Sequence, residues 1–353
     1  MRPFLSERCG SIFAQTFADW ELFAYDSQSD DGAWEFLQSM ASGEARMRLA
    51  QGPREGPYPA WNECLRQTTG EFVYIATSDD TMAPDCLEKL VDALDRNPDC
   101  DLAHCPLRVI DSEGALLLSP SWPDATVFAD GLGDVVAMPH IRKAPHDGLL
   151  HLTGAQVYLS ITQLLIRRSL FLKIGNFPSR WSNVSDFNWE MKAGLVASTV
   201  HVPDTWASWR IHPAQATALH RPKSLESDRV SEEMIQDAIR TCEPWMCETA
   251  RNCPLFEKSK SMRDYSNYLT HEPSVVRRRL YQVGRLLSGP PEIRHKLISK
   301  FWRRRRSSAQ LPEEIREWFN RSGMGPAISM DQPERLNRLA PLPRNDNDTR
   351  TRP

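Results

Sequence analysis

No run of the 353-residue sequence is apolar for long enough to span a bilayer. The most apolar window, Leu149 to Ile166, is broken by His151, Thr153, Gly154, Gln156, Ser160 and Gln163, each costly to place in hydrocarbon. No two of the eight cysteines stand at CxxC spacing, and no secretory pattern opens the sequence, so reduced thiols are expected rather than a disulfide framework. Cys242, Cys247 and Cys253 have no accompanying histidine and the wrong spacing for a zinc module. His140, His146 and His151 are too irregularly spaced for zinc and are expected to face solvent or an acceptor. No internal repeat is visible.

The small net charge of −3 hides an asymmetry. Residues 271–310 hold eleven Lys/Arg against only Glu272 and Glu292, which leaves the rest of the chain clearly acidic. An acidic main body argues against nucleic-acid binding. In the basic stretch, Val276, Leu280, Val283 and Leu287, then Leu297, Ile298, Phe301 and Trp302, recur at helical spacing beside the arginines. That pattern suits a solvated helix face first and, as the alternative, a helix lying on an anionic membrane surface, so the expected localisation is cytoplasmic, with peripheral contact at the inner membrane face under the second reading.

With 41% hydrophobic residues the chain can bury a sizeable core. Its first part alternates helical and strand-like segments, the pattern of a sheet covered by helices. Helices are expected near Phe4–Ala14, Ala33–Met40 and Pro59–Thr69, with strands at Trp20–Tyr25, Ala45–Leu49 and Glu71–Thr77. A helix opens at Pro84, with Leu87, Leu90, Val91 and Leu94 on one face, and ends at Asn97-Pro98. A strand is expected over Asp101–Ile110. Ser112–Leu152, rich in Pro, Gly, His and Asp, reads as a long loop or lid. Strand-like Val157–Ile166, a short helix at Arg168–Ile174 and a helix that Ser185 could cap follow. Beyond Pro222 the pattern is helical and charged, and from Leu311 it has the composition of a disordered tail.

In an open parallel sheet, ligands sit beyond the carboxyl ends of the strands. Three acidic positions qualify: Asp26, the pair Asp79 and Asp80, and Asp186. Taken alone, an Asp pair after a strand is more often a turn or a helix cap than a metal site. Asp186 also suits an N-terminal helix position.

The surrounding residues change that balance. Ser11-Ile12-Phe13-Ala14-Gln15-Thr16-Phe17-Ala18-Asp19-Trp20-Glu21-Leu22 resembles the "S-I-L-x-Q-T-F-x-D-W-E-L" connection of family 2 glycosyltransferases. Tyr25-Asp26-Ser27-Gln28-Ser29-Asp30-Asp31-Gly32 is similar to that family's "D-D-G-S-x-D-G" turn. Ala60-Trp61-Asn62 and Gly70-Glu71-Phe72-Val73-Tyr74-Ile75 match its "A-x-N" and "G-E-Y-I" pieces. Later, Arg167-Arg168-Ser169-Leu170-Phe171 with Gly175-Asn176-Phe177, then Ser185-Asp186-Phe187-Asn188-Trp189, then Trp209-Arg210-Ile211-His212 resemble "R-R-x-x-F-x-x-x-G-G-F", "E-D-x-x-L/W" and "Y-R-x-H". The likeness runs over roughly residues 4–218.

The resemblance implies an α/β chain of GT-A nucleotide-diphospho-sugar transferase fold, a Rossmann-like mixed sheet flanked by helices, over residues 1–220. A helical, basic extension over 221–310 and a tail over 311–353 would follow. It implies an inverting transfer of sugar from a nucleotide-diphosphate sugar to a carbohydrate or lipid-linked acceptor in surface polysaccharide synthesis. A Mn²⁺ or Mg²⁺ ion would neutralise the leaving diphosphate. By the same resemblance Asp80 is the metal ligand with His212 beside it, Asp26, Asp79 and Arg210 bind the donor, and Asp186 is the general base. Two positions depart from the pattern. The first acid of the usual Asp-x-Asp is Thr77 here, and the Glu of the Glu-Asp pair is Ser185. The family domain normally opens with an apolar strand and a "P-x-Y-N"-like turn, so the expectation is either a start that lies upstream or a truncated member whose sheet lacks a central strand and whose donor site is incomplete. A non-catalytic relative of the fold, or an adaptor whose basic stretch is the active part, are the competing readings.

Overall fold

The computed structural model describes residues 2–118, 137–152, 157–181, 184–215, 224–246, 248–251 and 253, with 274, 276–278, 281, 282, 285, 321, 327 and 328. Most of the basic stretch, the tail and the centre of the expected lid lie outside the described residues, and the expected membrane-surface helix lies there with them.

Helix α1 (Arg2–Phe13) leads to strand β1 (Leu22–Asp26), which pairs in parallel with β2 (Met47–Gln51) through the crossover helix α2 (Ala33–Gly43). Helix α3 (Pro57–Gln67) starts on a proline, tolerated where the first turn has no intrahelical acceptor, and precedes β3 (Phe72–Tyr74). Helix α4 (Cys86–Arg96) buries Leu87, Leu90 and Leu94 of the stripe read from the sequence, with Cys86 buried beside them and Val91 partly buried.

The strand expected over Asp101–Ile110 is two strands, β4 (Leu102–His104) and β5 (Leu107–Ile110). Pro106 between them has no N–H to give to a ladder, and the chain changes sheet there. The segment expected as a lid also holds regular structure: β6 (Leu116–Leu118), β7 (His140–Arg142) and helix α5 (His146–Leu152). Strand β8 (Leu164–Arg167), helix α6 (Ser169–Ile174), helix α7 (Ser185–Val196), strands β9 (Thr199–His201) and β10 (Ala207–Arg210), helices α8 (Ser224–Cys242) and α9 (Glu248–Arg251), and the two-residue β11 (Ala327–Ile328) follow. Within the expected tail, β11 pairs antiparallel with β7.

Six strands form the main sheet in the order β11-β7-β9-β4-β8-β3, and β10-β5-β6 form a second. Strands β1 and β2 stand apart as a third, two-stranded sheet. Between β1 and β3 lie two cavities. One, of about 690 Å³, is lined by Asp19–Leu22 and Thr68–Tyr74; the other, of about 370 Å³, by Glu21–Ser27, Ser29 and Val73–Ser78. Both cavities touch β1 and β3. Glu21 bridges the gap, accepting from the Thr69 and Gly70 amides and pairing with Arg48 at 2.7 Å.

Helix α7, which carries Asp186, is held from three sides. Its Asn188 donates to the Met234 carbonyl of α8 at 2.8 Å, and the Trp189 indole donates to the Gly175 carbonyl after α6 at 3.0 Å. Against α5 the two backbones touch: a Cβ at Gly194 would lie 2.4 Å from the Gly148 nitrogen, and one at Gly148 would lie 2.3 Å from the Leu195 nitrogen. Only glycine fits either position. Ser185 is the first residue of α7 rather than its cap; its hydroxyl accepts from the Trp181 amide at 3.1 Å.

The histidines expected at the surface are core residues. His140, His146 and His151 are all buried, in a polar network centred on Asp147. The Asp147 carboxylate accepts from Arg142 Nε at 2.7 Å and from the Tyr158 hydroxyl at 2.6 Å, and it meets His146 Nδ1 at 2.8 Å. Burial alone would raise its pKa, but Arg142 and His146 hold it well below the usual carboxylate range. His151 Nε2 accepts from the Val157 and Tyr158 amides, and burial lowers its pKa to about 4, so it is neutral in the fold. Sequence spacing cannot separate such a buried histidine from an exposed one.

Replacing Gly194 by alanine forces a methyl group into the α5–α7 backbone contact. The expected result is a loss of about 1–3 kcal/mol of stability, measured by denaturant unfolding. A Gly194→Ala variant as stable as the parent would contradict the close packing that places α7.

Candidate active site

The loop after β3 is zipped to β10. The Thr81 amide donates to Ser208 Oγ at 2.6 Å, the Ser208 amide returns to the Thr81 carbonyl at 2.8 Å, and the Ala83 amide reaches the Trp206 carbonyl at 3.0 Å. This register sets Asp79 and Asp80 against Arg210 and His212, so four residues singled out from the sequence do meet.

They do not present themselves alike. Asp80 points inward and is 2% exposed; its Oδ2 accepts from Thr77 Oγ1 at 2.5 Å and its Oδ1 from the Arg210 amide at 2.7 Å. Burial first, then the neighbouring Asp79 charge, push its pKa up to about 7. Asp79 is partly exposed, and its Oδ2 lies 3.0 Å from His212 Nε2. The His212 ring packs against Phe4 of α1 with centroids 4.6 Å apart, and its amide donates to Gln215 Oε1 at 2.8 Å.

Arg210 has no exposed surface, and its guanidinium is spent on the protein. Nε donates to the Asp79 carbonyl at 2.7 Å, Nη1 to the carbonyls of Asp111 and Ser112 at 3.0 and 3.3 Å, and Nη2 pairs with Glu7 at 2.5 Å. The expected donor contact is thus a structural clamp, because a planar fork with each nitrogen already engaged has little left to offer a ligand.

Asp26 closes β1 and is 5% exposed. Its Oδ2 accepts from the Ser29 amide at 3.0 Å and from Gln51 Nε2 at 2.9 Å, Gln51 being its partner across the β1–β2 ladder. Burial raises its pKa, but the bonds from Ser29 and Gln51 outweigh that and hold the carboxyl below its usual value. Asp26 shares the 370 Å³ cavity with Thr77 and Ser78, the residues that lead into Asp79.

Asp186 makes none of these contacts. It stands in the first turn of α7, where its Oδ1 accepts from the Tyr58 hydroxyl at 2.9 Å and from the Phe187 amide at 3.1 Å. Tyr58 belongs to α3, whose Pro57, Ala60 and Trp61 also line the Asp26 cavity. Burial raises the Asp186 pKa to about 6, with Tyr58 pulling the other way. One turn further on, Glu190 is fully buried with neither carboxylate oxygen bonded, and burial followed by the Asp186 charge push its pKa well above the ordinary value. Glu190 is therefore harder to ionise than an ordinary glutamate, and a second charge beside Asp186 is disfavoured.

Sequence reasoning missed Tyr58, Glu7 and Glu190. No motif marks them; each matters through a contact between segments far apart in the chain. Thr77 was visible as a departure from Asp-x-Asp, and its hydroxyl is what anchors Asp80.

The donor set suits a hard divalent cation: a partly exposed carboxylate beside an imidazole nitrogen, with a buried second carboxylate behind them. Among the described residues no group of three or more His, Cys, Asp or Glu is arranged to hold a metal, so such an ion would need oxygens from a ligand or water to complete its shell.

Residues 2–123 match the family model described as "Glycosyl transferase family 2". EpsE of Bacillus subtilis (strain 168), whose name places it provisionally among glycosyltransferases, is 30% identical over 132 residues, 36% of this chain and 47% of EpsE. The O-antigen biosynthesis protein RfbC of Myxococcus xanthus is 30% identical over 127 residues, 34% of this chain and 10% of RfbC. The chain thus spans less than half the length of either relative. The 1–349 portion of S. aureus TarS, solved in complex with UDP-GlcNAc, superposes with a TM-score of 0.57 at 13% identity, over 91% of this chain and 88% of that one. That likeness is one of fold.

Replacing Tyr58 by phenylalanine removes the hydroxyl that favours ionised Asp186. The Asp186 pKa is expected to rise from about 6 by about one pH unit, the worth of a hydrogen bond to a charged group. A carboxyl-carbon NMR titration reads it directly, and an unchanged or lower value would contradict the assigned contact.

Proposed function

We propose that the chain, matched over residues 2–123 by the model of family 2 glycosyltransferases and similar in fold to GT-A enzymes, transfers a sugar from a nucleotide-diphosphate donor to an acceptor hydroxyl with inversion. The observation that carries this reading is the Asp79–His212 pair, set over buried Asp80 at the exit of β3 and beside the cavity that holds Asp26.

In this reading Asp26 accepts hydrogen bonds from the donor base, its carboxylate kept ionised by Ser29 and Gln51. Asp79 and His212 would hold the divalent cation, and Asp80 would add negative charge from beneath, its position fixed by Thr77 and the Arg210 amide. This moves the direct metal contact from Asp80 to Asp79, because both Asp80 oxygens are already engaged in the interior. Bound Mn²⁺ or Mg²⁺ supplies charge to offset that growing on the leaving diphosphate. Arg210 acts through Asp79, as a positioning residue.

Asp186 takes the proton from the acceptor hydroxyl as that oxygen bonds to the anomeric carbon and the bond to the diphosphate oxygen breaks. A pKa of about 6 suits a base that is ionised at neutral pH yet still able to accept a proton. Glu190, whose ionisation is opposed by burial and by the Asp186 charge, favours the charge on Asp186. The O-antigen role in the name of RfbC supports a surface polysaccharide or glycoconjugate acceptor. The nucleotide-sugar in the TarS complex makes UDP the first donor nucleotide to try.

Calorimetric titration of UDP, GDP and dTDP, each with and without Mn²⁺, tests the reading. One nucleotide is expected to bind more tightly with Mn²⁺, and Asp79→Ala is expected to remove that enhancement, a weakening of about tenfold or more. If none of the three binds the wild-type chain in either condition, the donor site as described does not exist.

A further inference from the structure

Three histidines stand in register across three neighbouring strands of the main sheet. His104 closes β4 and lies opposite His201, which closes β9, and His201 lies opposite His140, the first residue of β7. All three are buried, with ring centroids 5.1 Å apart for His104 and His201 and 4.8 Å apart for His140 and His201. The chemistry proposed above uses none of them.

Their partners fix where each proton sits. The Gln163 amide is oriented by its oxygen, which accepts from the Leu159 and Ser160 amides at 2.9 and 3.2 Å, so its nitrogen faces the Cys105 carbonyl at 2.9 Å and His104 Nε2 at 3.1 Å. His104 Nε2 must accept there, its proton is on Nδ1, and that N–H donates to His201 Nδ1 at 3.0 Å. His140 is held in a similar way: Nε2 faces Arg142 Nη1 at 2.7 Å, a group that can only donate, and Nδ1 donates to the Met138 carbonyl at 2.8 Å. A further proton on any of these acceptor nitrogens would set N–H against N–H. The charged groups beside the row are Arg142 of β7 and Asp147 of α5, paired at 2.7 Å, with His146 and the Tyr158 hydroxyl also on Asp147, Thr199 on Tyr158, and His151 packed on Tyr158. Burial, then His201 and Arg142, hold the His104 pKa well below its ordinary value, and burial, then Arg142, lowers that of His140 to about 4.

The row lies at the joint between the two larger sheets. The Val202 amide donates to the His104 carbonyl at 2.8 Å, the Cys105 amide to the Gln163 carbonyl at 3.1 Å, and the Ala207 amide to the Pro106 carbonyl at 3.1 Å. From there β4 continues into β5 and β9 into β10, the strands that lead to Asp111 and carry its partner Arg210. We propose that the row is an acid-sensitive joint: gain of a proton by one of the three rings breaks the imidazole chain and frees the paired ends of β4 and β9, and with them the seating of β5 and β10. Above the ordinary histidine value of 6.5 the rings are neutral whether the joint is open or closed, and its full strength is present. As pH falls from there towards about 4, the open chain takes up protons that the closed row resists, so strength is lost.

Nitrogen-15 NMR of the imidazoles of the whole chain at about pH 7.5 tests the arrangement. Neutral rings are expected, with the proton on Nδ1 of His104 and His140 and on Nε2 of His201; a charged ring, or a proton on Nε2 of His104, would overturn the inference. Amide hydrogen exchange at about pH 7.5 and about pH 5, corrected for the intrinsic effect of pH, reads the joint itself. Relative to the amides of α4, those of Val202 and Arg210 are expected to lose more than about thirtyfold in protection at the lower pH, the effect of one ring whose pKa drops from its ordinary value to that of His140. His140→Gln keeps an oxygen to accept from Arg142 but takes up no proton, and its loss should be about thirtyfold smaller than that of wild type. Protection at Val202 and Arg210 that is unchanged or falls only in step with α4, or a loss in His140→Gln as deep as in wild type, would each overturn the inference; if the variant does not fold, the two wild-type measurements decide it.

Discussion

The Arg210 guanidinium joins segments that are distant in sequence: α1 through Glu7, the loop after β3 through the Asp79 carbonyl, and the turn after β5 through Asp111 and Ser112. Its own amide holds Asp80. With no surface in contact with water, this cation makes its bonds in a medium where each is strong and each loss is costly. The Asp79–His212 pair, the inward turn of Asp80 and the packing of Phe4 on His212 all depend on where Arg210 holds the backbone. A residue that resembles a ligand contact in the sequence therefore shapes the site through the chain around it.

The alternation of helix and strand, the amphipathic face of α4 and the acids at strand ends were legible because each is a local periodicity or a local boundary. Several pieces of the resemblance also prove to be clamps. Asn62 exchanges two hydrogen bonds with the backbone of Phe177, and Arg168 reaches the carbonyls of Leu65 and Gly70 at the end of α3 and beyond. Motif spacing is informative here because it reports such fixed contacts. What was illegible depends on partners far away in the chain. The buried histidines around Asp147 look like loop residues from their neighbours, and the orientations of Asp79 and Asp80 are set by β10, well over a hundred residues later. Pro106 was a missed local signal, since its lack of an N–H was enough to divide one expected strand into two.

Two carboxylates with raised pKa values occupy different parts of the site. Asp80 is pushed up to about 7 beside Asp79, and Asp186 to about 6 near Glu190, whose own pKa is raised well above the ordinary value. Both shifts arise from burial, and in both places a neighbouring acid adds to the cost of ionisation or yields to it. A cation at Asp79 and His212 would lower the cost for Asp80, coupling metal binding to proton release. Asp186 has no such partner and keeps the character of a base that titrates near neutrality.

The most direct test of the account is whether the chain cleaves a donor. UDP-, GDP- and dTDP-sugars are incubated with wild type and with Asp186→Asn in the presence of Mn²⁺, and the released nucleoside diphosphate is quantified by chromatography. The account predicts release from one donor class by wild type and a fall of about 10²–10⁴-fold in Asp186→Asn, with donor affinity retained. Equal release by the two proteins, or none by wild type from any of the three, would contradict it.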